Sequence, residues 1–212
     1  MSNVSREAQK YFEMVSGKWD VLRKSFYGDE VRDAVLNAAK IQPDDTVLDV
    51  GAGTGFLTEG ATKIARNVVA LDFSEAMMGE ARTKLSGRNV EFKIGNVEHI
   101  PLPDGSVNVV IGNMILHHCL NPEVAIRDMA RVLAPGGRLA LSDLQQHSYE
   151  FLREEHADKW LGFEIDRVRG MLDQAAFEEV RVDRLESCCS TTLEHGQVKI
   201  PMFLASGRKR QE

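Results

Sequence analysis

Short apolar runs alternate with longer amphipathic segments through the middle of this 212-residue chain. An apolar run bounded by turn residues is typical of a buried strand, and apolar residues that recur every three or four positions are typical of a helix. The strand-like runs are 47–50, 67–72, 90–94, 107–111 and 138–142. Because strands that alternate with helices are joined by right-handed crossovers, the pattern predicts a parallel sheet with helices on both faces.

The C-terminal part of the chain breaks this alternation. Two strand-like runs, 178–186 and 197–206, have only residues 187–196 between them, which are too few for a crossover helix. Adjacent strands with so short a link pair antiparallel. We therefore predict an α/β fold with a doubly wound, seven-stranded sheet that is mostly parallel and has an antiparallel last strand.

The N-terminal segment carries helical periodicity but no strand. Apolar residues at helical spacing predict one helix over residues 5–26 and a second from Val31 to Ala38. Both precede the first strand and so lie outside the repeating unit. We predict an N-terminal helical cap, residues 1–40, followed by one domain, residues 41–212, which is an ordinary size for a single core.

A glycine-rich turn follows the first predicted strand. From Asp49 to Gly55 it reads Asp-Val-Gly-Ala-Gly-Thr-Gly, and apolar residues at helical spacing begin directly after it. Glycine tolerates positive φ and lets a ligand approach the backbone. The amides of such a turn and of the following helix N-terminus offer donors to a polar or anionic group. The strand, turn and helix together predict a ligand site. The alternative is a tight turn that binds no ligand.

The order of the glycines argues against two common nucleotide motifs. In the dinucleotide fingerprint Gly-x-Gly-x-x-Gly the last glycine would fall at Phe56, and the lysine of a phosphate-binding P-loop is absent. The pattern Asp-x-Gly-x-Gly-x-Gly resembles the first motif of class I S-adenosylmethionine-dependent methyltransferases. The resemblance implies S-adenosylmethionine as the cofactor, with the turn against its amino-acid end and Asp49 ordering that end.

Further cofactor residues are expected where neighbouring strands end, since doubly wound sheets bind ligands beyond the carboxyl ends of their strands. Asp72 follows Gly51 by 21 residues and suits both hydroxyls of a ribose, with Phe73 against the adenine. The family usually has an acid where Asn96 stands, and an Asn carbonyl can also accept the bond from the adenine amino group. The predicted cofactor site consists of Asp49, Gly51, Ala52, Gly53, Thr54, Gly55, Asp72, Phe73, Met77, Asn96, Val97 and Asn113.

The segment after the fourth strand bears on the methyl acceptor. Enzymes that methylate exocyclic amines of bases or glutamine carry an acidic residue or Asn followed by Pro-Pro there, whereas this chain has Asn113-Met-Ile. Residues 100–110, 116–118 and 131–138 resemble the branch that holds the ubiquinone/menaquinone C-methyltransferases. The resemblance implies an enzyme that transfers a methyl group from S-adenosylmethionine to a small-molecule acceptor.

Three histidines are candidate catalytic residues. His117 and His118 follow the fourth strand, and His147 follows the fifth with Asp143 shortly before it. An acceptor carbon or oxygen must lose a proton, and histidine suits that task near neutral pH. Since adjacent residues of a helical segment point about 100° apart, at most one of His117 and His118 is expected to face the cofactor. A packing or capping role stays open for each of them.

Other functions stay open at this point. Cys188 and Cys189, with Cys119, could hold arsenite, which some relatives methylate. Adjacent residues on a strand point to opposite faces, so Cys188 and Cys189 could bind one atom together only if they lie in a loop. A cofactor sensor or scaffold that kept the pocket without turnover is a second alternative. A nucleotide-dependent oxidoreductase is a third, and no metal site is predicted.

The composition of the chain limits which partners it can bind and in which cellular compartment it is expected. A formal net charge of −6 disfavours a nucleic-acid partner. No apolar run reaches membrane-spanning length, and the N-terminus lacks the apolar core of a signal peptide. Three cysteines without regular spacing favour a reducing compartment over a disulfide framework. We expect a cytoplasmic enzyme with a small-molecule acceptor, and the pattern indicates no particular oligomeric state.

Overall fold

The structure is a computed structural model that describes residues 6–193 and 196–211. Its helices are α1 (Arg6–Val15), α2 (Trp19–Phe26), α3 (Asp29–Ala39), α4 (Phe56–Ala61), α5 (Glu75–Lys84), α6 (Pro122–Val132), α7 (Phe151–Glu155) and α8 (Ile165–Gln174). Its strands are β1 (Thr46–Val50), β2 (Asn67–Asp72), β3 (Val90–Ile94), β4 (Val107–Asn113), β5 (Leu133–Leu144), β6 (Phe177–Leu193) and β7 (Gly196–Lys209). Within these ranges, no helix is both long enough and apolar enough to cross a membrane.

The seven strands form one sheet in the order β3-β2-β1-β4-β5-β7-β6. β1 pairs in parallel with β2 and β4, whereas β7 runs antiparallel to both β5 and β6. The predicted fold class is confirmed, including its antiparallel last strand. The strand order reverses between β1 and β4, so the switch point where doubly wound sheets bind ligands lies at the carboxyl ends of these two strands.

The C-terminal hairpin is longer than predicted. β6 and β7 stay paired as far as Leu193 and Gly196, so the loop predicted over residues 187–196 is wrong. The extended pairing satisfies backbone groups that a loop would leave to water. Cys188 and Cys189 therefore lie within a strand, and residues 194–195 fall outside the described ranges.

The single helix predicted over residues 5–26 is interrupted. α1 ends at Val15, a 3₁₀ turn over Ser16–Lys18 follows, and α2 begins at Trp19. The turn contains Gly17, and glycine destabilises a helix interior by about 1 kcal/mol relative to alanine, which accounts for the break. α1 then packs against α5, and α2 against β6. Residue 5 lies outside the described ranges.

α3 differs from the two helices before it. Val31, Val35 and Ala39 are fully buried in a cluster that includes Val109 of β4 and Ala140 of β5. This apolar face gives α3 a place in the core of the domain. The boundary at residue 40 between a cap and a domain stays a prediction.

Candidate active site

A cavity, partly open to solvent, lies at the carboxyl ends of β1, β2, β4 and β5. Polar atoms reach its wall from the glycine turn, from Asp72 and Asn113, and from a group of histidine and aspartate side chains after β4. The rest of the wall is apolar and largely aromatic. Its aromatic rings are those of Tyr11, Phe12, Trp19, Phe26, Tyr27 and Phe73.

The three glycines of the turn have backbone angles that other residues rarely adopt. The φ angles of Gly51, Gly53 and Gly55 are 66°, 54° and 86°. A Cβ on Gly51 would lie 2.6 Å from Cδ1 of Ile115, so this position also has no room for a side chain. Gly51 and Gly53 line the cavity, where a ligand can approach their backbone closely.

The remaining turn residues hold the turn in shape. The Ala52 amide donates to the carbonyl of Leu71 at 3.0 Å, and the Gly55 amide donates to the carbonyl of Ala52 at 2.8 Å. The Thr54 hydroxyl donates to Oδ1 of Asp20 on α2 at 2.6 Å. Ala52, Thr54 and Gly55 are all described residues that do not line the cavity, so they act on a ligand through the shape of the turn.

Asp72 is held by two backbone amides. Its Oδ2 accepts from the Gly53 amide at 2.8 Å, and its Oδ1 accepts from the Ser74 amide at 2.9 Å. Burial raises the pKa of this carboxyl, while the hydrogen bonds from these amides oppose the rise. Each oxygen has a further lone pair for a ligand hydroxyl. Phe73 and Met77 line the same cavity, so the residues predicted around β2 lie together.

Asp49 sits behind the glycine turn and is not part of the cavity wall. Its side chain is buried and accepts a hydrogen bond from the Thr58 hydroxyl of α4 at 2.6 Å. Burial raises the pKa of this carboxyl to about 7, against the lowering effect of the Thr58 hydrogen bonds. Asp49 therefore ties β1 to α4 and supports the turn from beneath.

We expect the Asp49→Asn variant to gain stability relative to the parent as the pH rises. A carboxyl whose pKa is raised from 3.8 to about 7 binds more protons in the folded than in the unfolded state between those values. Its contribution to folding stability therefore falls between about pH 4 and pH 7, and the amide removes this dependence. Thermal unfolding of both proteins from about pH 5 to pH 8 measures the difference. A difference that does not change with pH would contradict the prediction.

Asn96 and Val97 line a smaller hollow beside the main cavity, and Phe73 and His118 border both spaces. Oδ1 of Asn96 accepts from the Glu98 amide at 2.9 Å, so this carbonyl oxygen already has one partner. A carbonyl oxygen can accept a second hydrogen bond. The contact with adenine predicted for Asn96 and Val97 stays a prediction.

Asn113 lines the main cavity at the end of β4. Its Nδ2 donates to the Tyr27 hydroxyl at 2.9 Å, and its Oδ1 accepts from the Ser142 hydroxyl at 2.7 Å. Burial raises the pKa of Tyr27, so the phenol stays protonated. Asn113 thus holds the Tyr27 ring on the cavity wall.

Both histidines after β4 line the cavity, whereas the expectation that at most one of them faces the cofactor stays a prediction. They lie in a 3₁₀ turn, Leu116–His118, and their rings fold toward each other to a centroid separation of 4.0 Å. Nδ1 of His117 lies 2.6 Å from Oδ1 of Asp143. Oδ1 of Asp158 lies 3.7 Å from Nε2 of His117 and 3.9 Å from Nδ1 of His118. We call His117, His118 and Asp158 the His–Asp cluster.

Two buried carboxyl groups set the charge of His117. Burial alone would lower the pKa of this imidazole, but Asp143 and Asp158 raise it to about 9. Burial raises the pKa of Asp158 to about 6, with His117 opposing the rise. Burial and the neighbouring His117 hold the pKa of His118 well below its usual range. Without a bound ion, the carboxyl groups therefore favour a protonated His117 beside a neutral His118.

His147, the third candidate, does not line the cavity, although it lies in a described part of the chain. It is half-buried, and its Nδ1 accepts from the Tyr149 amide at 3.3 Å. Burial lowers the pKa of this imidazole to about 4. The surroundings of His147 therefore agree with the alternative named for each histidine, a role in packing or capping.

Asp158 reaches the cavity from a segment that the sequence pattern did not mark. The amides of Lys159 and Trp160 both donate to the carbonyl of His117, at 2.9 and 3.0 Å. These bonds fix Asp158 against the histidine turn. The segment between α7 and α8 has no periodicity or motif, so no sequence signal identified this residue.

Residues 6–26, which we call the lid, cover the cavity with aromatic rings. The Phe12 ring lies 5.1 Å from the His118 ring and 5.9 Å from the Phe73 ring. The Tyr11 hydroxyl lies 2.8 Å from Nδ1 of His156. The lid thus spans the distance between the predicted cofactor residues at the end of β2 and the His–Asp cluster.

A polar contact fastens the lid to the glycine turn. Besides the Thr54 hydroxyl, Asp20 accepts a hydrogen bond from the Lys84 ammonium at 3.0 Å. Burial would raise the pKa of Asp20, but Thr54 and Lys84 lower it. Because the Asp20 side chain is 43% exposed, its ion pair with Lys84 contributes at most about 1 kcal/mol.

The family model and the curated proteins that match this chain are methyltransferases. Residues 48–141 match the family model described as a methyltransferase domain. An arsenite methyltransferase from Halobacterium salinarum is 35% identical over 156 residues, which are 68% of this chain and 40% of that protein. A ubiquinone/menaquinone biosynthesis C-methyltransferase UbiE from Vibrio campbellii is 30% identical over 145 residues, 64% of this chain and 56% of that protein. The chain spans about half the length of the curated relatives it matches.

Solved structures share the fold. The methyltransferase in a complex with the Haloferax volcanii Trm112 methyltransferase activator has a TM-score of 0.82 at 17% identity, covering 97% of this chain and 98% of that one. An S-adenosylmethionine-dependent methyltransferase from Thermotoga maritima has a TM-score of 0.71 at 20% identity, covering 96% of this chain and 100% of that one.

The seven-stranded sheet, the glycine turn and the acid at the end of β2 define a class I methyltransferase domain. Residues 48–141 match a methyltransferase domain, and the proteins that the chain resembles include ubiquinone/menaquinone C-methyltransferases. The resemblance drawn from the glycine turn is thereby confirmed.

Proposed function

We propose that this chain transfers the methyl group of S-adenosylmethionine to a small, largely apolar organic acceptor that carries a polar, protic group. The observation that carries the proposal is one continuous cavity that brings the glycine turn and Asp72 together with the His–Asp cluster. In-line displacement at the sulfonium methyl needs little from the protein besides alignment and the exclusion of water. An aromatic lid over the cavity supplies both.

The cofactor would occupy the part of the cavity formed by the predicted residues. Its amino-acid end lies against the backbone of Gly51 and Gly53, and its ribose hydroxyls bind the two oxygens of Asp72. Its adenine extends past Phe73 toward the hollow lined by Asn96 and Val97. In this proposal Asp49 and the other turn residues support the site from behind.

The rest of the cavity wall indicates the polarity of the acceptor. Met114, Leu144, Leu152 and Ile200 make it apolar, and among the described residues that line the cavity none is lysine or arginine. The imidazole of His117 is already paired with Asp143 and Asp158, so a phosphorylated or otherwise polyanionic acceptor would lack a free counterion. The His–Asp cluster is the polar feature that a hydroxyl, thiol or acidic carbon of the acceptor would meet.

Calorimetry with four ligands tests the cofactor part of the proposal. We expect binding of S-adenosylmethionine and S-adenosylhomocysteine and far weaker binding of NAD and ATP. Tight NAD binding without a response to the methyl donor would favour the oxidoreductase alternative. Incubation with labelled methyl donor and a panel of phenols, quinols and thiols then separates an enzyme from a cofactor sensor or scaffold, which would bind without turnover.

Arsenite is the second candidate acceptor, favoured by the similarity to a protein named arsenite methyltransferase. The arrangement of thiols argues against it. Cys189 lines the cavity, Cys188 does not, and the Cys119 thiol is buried and donates to the carbonyl of Ile115 at 3.4 Å. A single thiol on the wall is a poor site for a thiophilic metalloid.

Replacing both Cys188 and Cys189 with serine is expected to leave methylation of an organic acceptor intact, because neither thiol belongs to the His–Asp cluster. Methyl transfer to the organic acceptor and to arsenite is measured in parent and variant. Arsenite turnover by the parent that disappears in the variant would overturn the choice of acceptor class.

We also propose that the protein works in the cytoplasm without a nucleic-acid partner. A net charge of −6 and three free cysteines support this. Residues 1–40 are proposed as the cap, with α1 and α2 as its moving part.

A further inference from the structure

The His–Asp cluster has the composition of a metal site. One ligand atom from each of His117, His118 and Asp158 can be chosen so that all three lie within 4.8 Å of one another. In a tetrahedral site with ligands about 2.0–2.2 Å from the ion, ligand atoms lie about 3.4 Å apart. The separations of 3.7 and 3.9 Å from Oδ1 of Asp158 to the two imidazoles are close to that value.

The surroundings of His117 also fit a metal ligand. An imidazole that binds a metal usually donates its other N–H to a carboxylate, which fixes the tautomer and the ring orientation. Asp143 takes that position at 2.6 Å from Nδ1 of His117, which leaves Nε2 for Asp158 and the cavity. Asp143 is itself fixed, because its other oxygen accepts from the Leu116 amide at 2.8 Å.

His118 supplies an independent observation. Its side chain is only 9% exposed, and its Nδ1 has no partner at ordinary hydrogen-bond distance among the described residues, although a backbone group of Ala157 lies near enough to act on the pKa of this imidazole. A buried polar atom without a partner costs about 1–3 kcal/mol, so such atoms call for an explanation. This nitrogen is also the His118 atom nearest to Asp158 in the cluster, which is where an ion would need it.

We propose that His117, His118 and Asp158 bind a divalent transition-metal ion such as Zn²⁺ or Fe²⁺, with its open positions facing the acceptor. The inference rests on the proposed function, because the acceptor is what would fill those positions. Two imidazoles and one carboxylate are ligands that suit these ions, and sites with three protein ligands keep room for a substrate.

The ion would ease ionisation of the acceptor. An acceptor hydroxyl or thiol that binds the ion loses its proton to solvent at lower pH than it would in water. The resulting lone pair forms the new bond to the methyl carbon, and the electrons of the broken C–S bond stay on sulfur as the neutral thioether. No oxidant or reductant takes part in this balance.

Binding of Co²⁺ to the full chain, stripped beforehand with a chelator, tests the inference. We expect one Co²⁺ per chain with the visible absorption of a low-coordinate site, displaced by Zn²⁺. Asp158→Asn and His118→Ala should each weaken binding at least about ten-fold. The matched control is His156→Ala, a histidine of the same cavity outside the cluster, which should bind Co²⁺ as the parent does.

Two results would overturn the inference: no Co²⁺ binding below about 1 mM, or equal binding by the parent and both cluster variants. Asp158→Asn keeps the shape of the side chain, so it remains informative if His118→Ala fails to fold. S-adenosylhomocysteine binding is measured on the same samples. A chain that binds this ligand but no metal refutes only the inference, whereas a chain that binds metal but not the ligand refutes the proposed function.

Discussion

Replacing His117 with alanine is expected to lower kcat by about 10²–10⁴, while the affinity for S-adenosylhomocysteine stays unchanged. His117 lies on the cavity wall between two buried carboxyl groups, and Asp143 holds its ring in place. In the proposed function it would contact the acceptor, and the hydrogen bonds that hold Asp72, a predicted cofactor residue, do not involve it. Steady-state and single-turnover kinetics with the acceptor found in the labelled-donor screen measure the first effect, and calorimetry with S-adenosylhomocysteine measures the second.

Two controls make this result interpretable. His99→Ala removes an exposed histidine from another part of the chain and should leave kcat as it is. His117→Gln keeps a donor that can reach Asp143 and so lessens the loss of stability expected when a buried carboxylate loses its partner. A parent-like kcat in both His117 variants would remove this residue from the chemistry.

Replacing Asp72 with alanine is expected to weaken cofactor binding by about 10- to 150-fold, the equivalent of about 1.5–3 kcal/mol. Two backbone amides hold the Asp72 carboxylate at the cavity, so its loss would remove the charged hydrogen bonds that the proposal assigns to the ribose. It also frees the Gly53 amide that Asp72 holds. Calorimetry with S-adenosylmethionine and S-adenosylhomocysteine provides the measurement.

Glu75→Ala is the matched control for this prediction. Glu75 is an acid three residues further along, 73% exposed, and pairs with Arg82 on the surface. It should leave cofactor binding unchanged. If Asp72→Ala binds both ligands as tightly as Glu75→Ala, Asp72 has no part in the site.

The residues that could be predicted share one property: their geometry is local. A short stretch of sequence is enough to predict the glycine turn, because Gly51, Gly53 and Gly55 directly follow a strand. That stretch accounts for both their positive φ angles and their place at the edge of the sheet. Asp72 belongs to the next strand along the chain and is brought beside the turn by a parallel pairing that the strand–helix alternation already implies.

Asp158 and the lid depend on long-range packing and could not be predicted in this way. Asp158 reaches the histidines because two amides bond to the carbonyl of His117, and no periodicity encodes that contact. Cys188 and Cys189 show the same limit. The sequence pattern predicts a loop around them, whereas pairing with β7 extends β6 through both residues.

The contact between Asp20 of the lid and Thr54 of the glycine turn has a kinetic consequence. Phe12 and Trp19 line the cavity, so in the proposed enzyme the lid would hinder the departure of both products while it stays attached to the turn. Turnover then has a ceiling set by lid opening, a step that is often slower than chemistry in enzymes of this kind. A substitution that slows methyl transfer several-fold will lower the rate measured in a single turnover. It will leave kcat unchanged as long as methyl transfer stays faster than lid opening. Asp20→Asn should raise the ceiling itself.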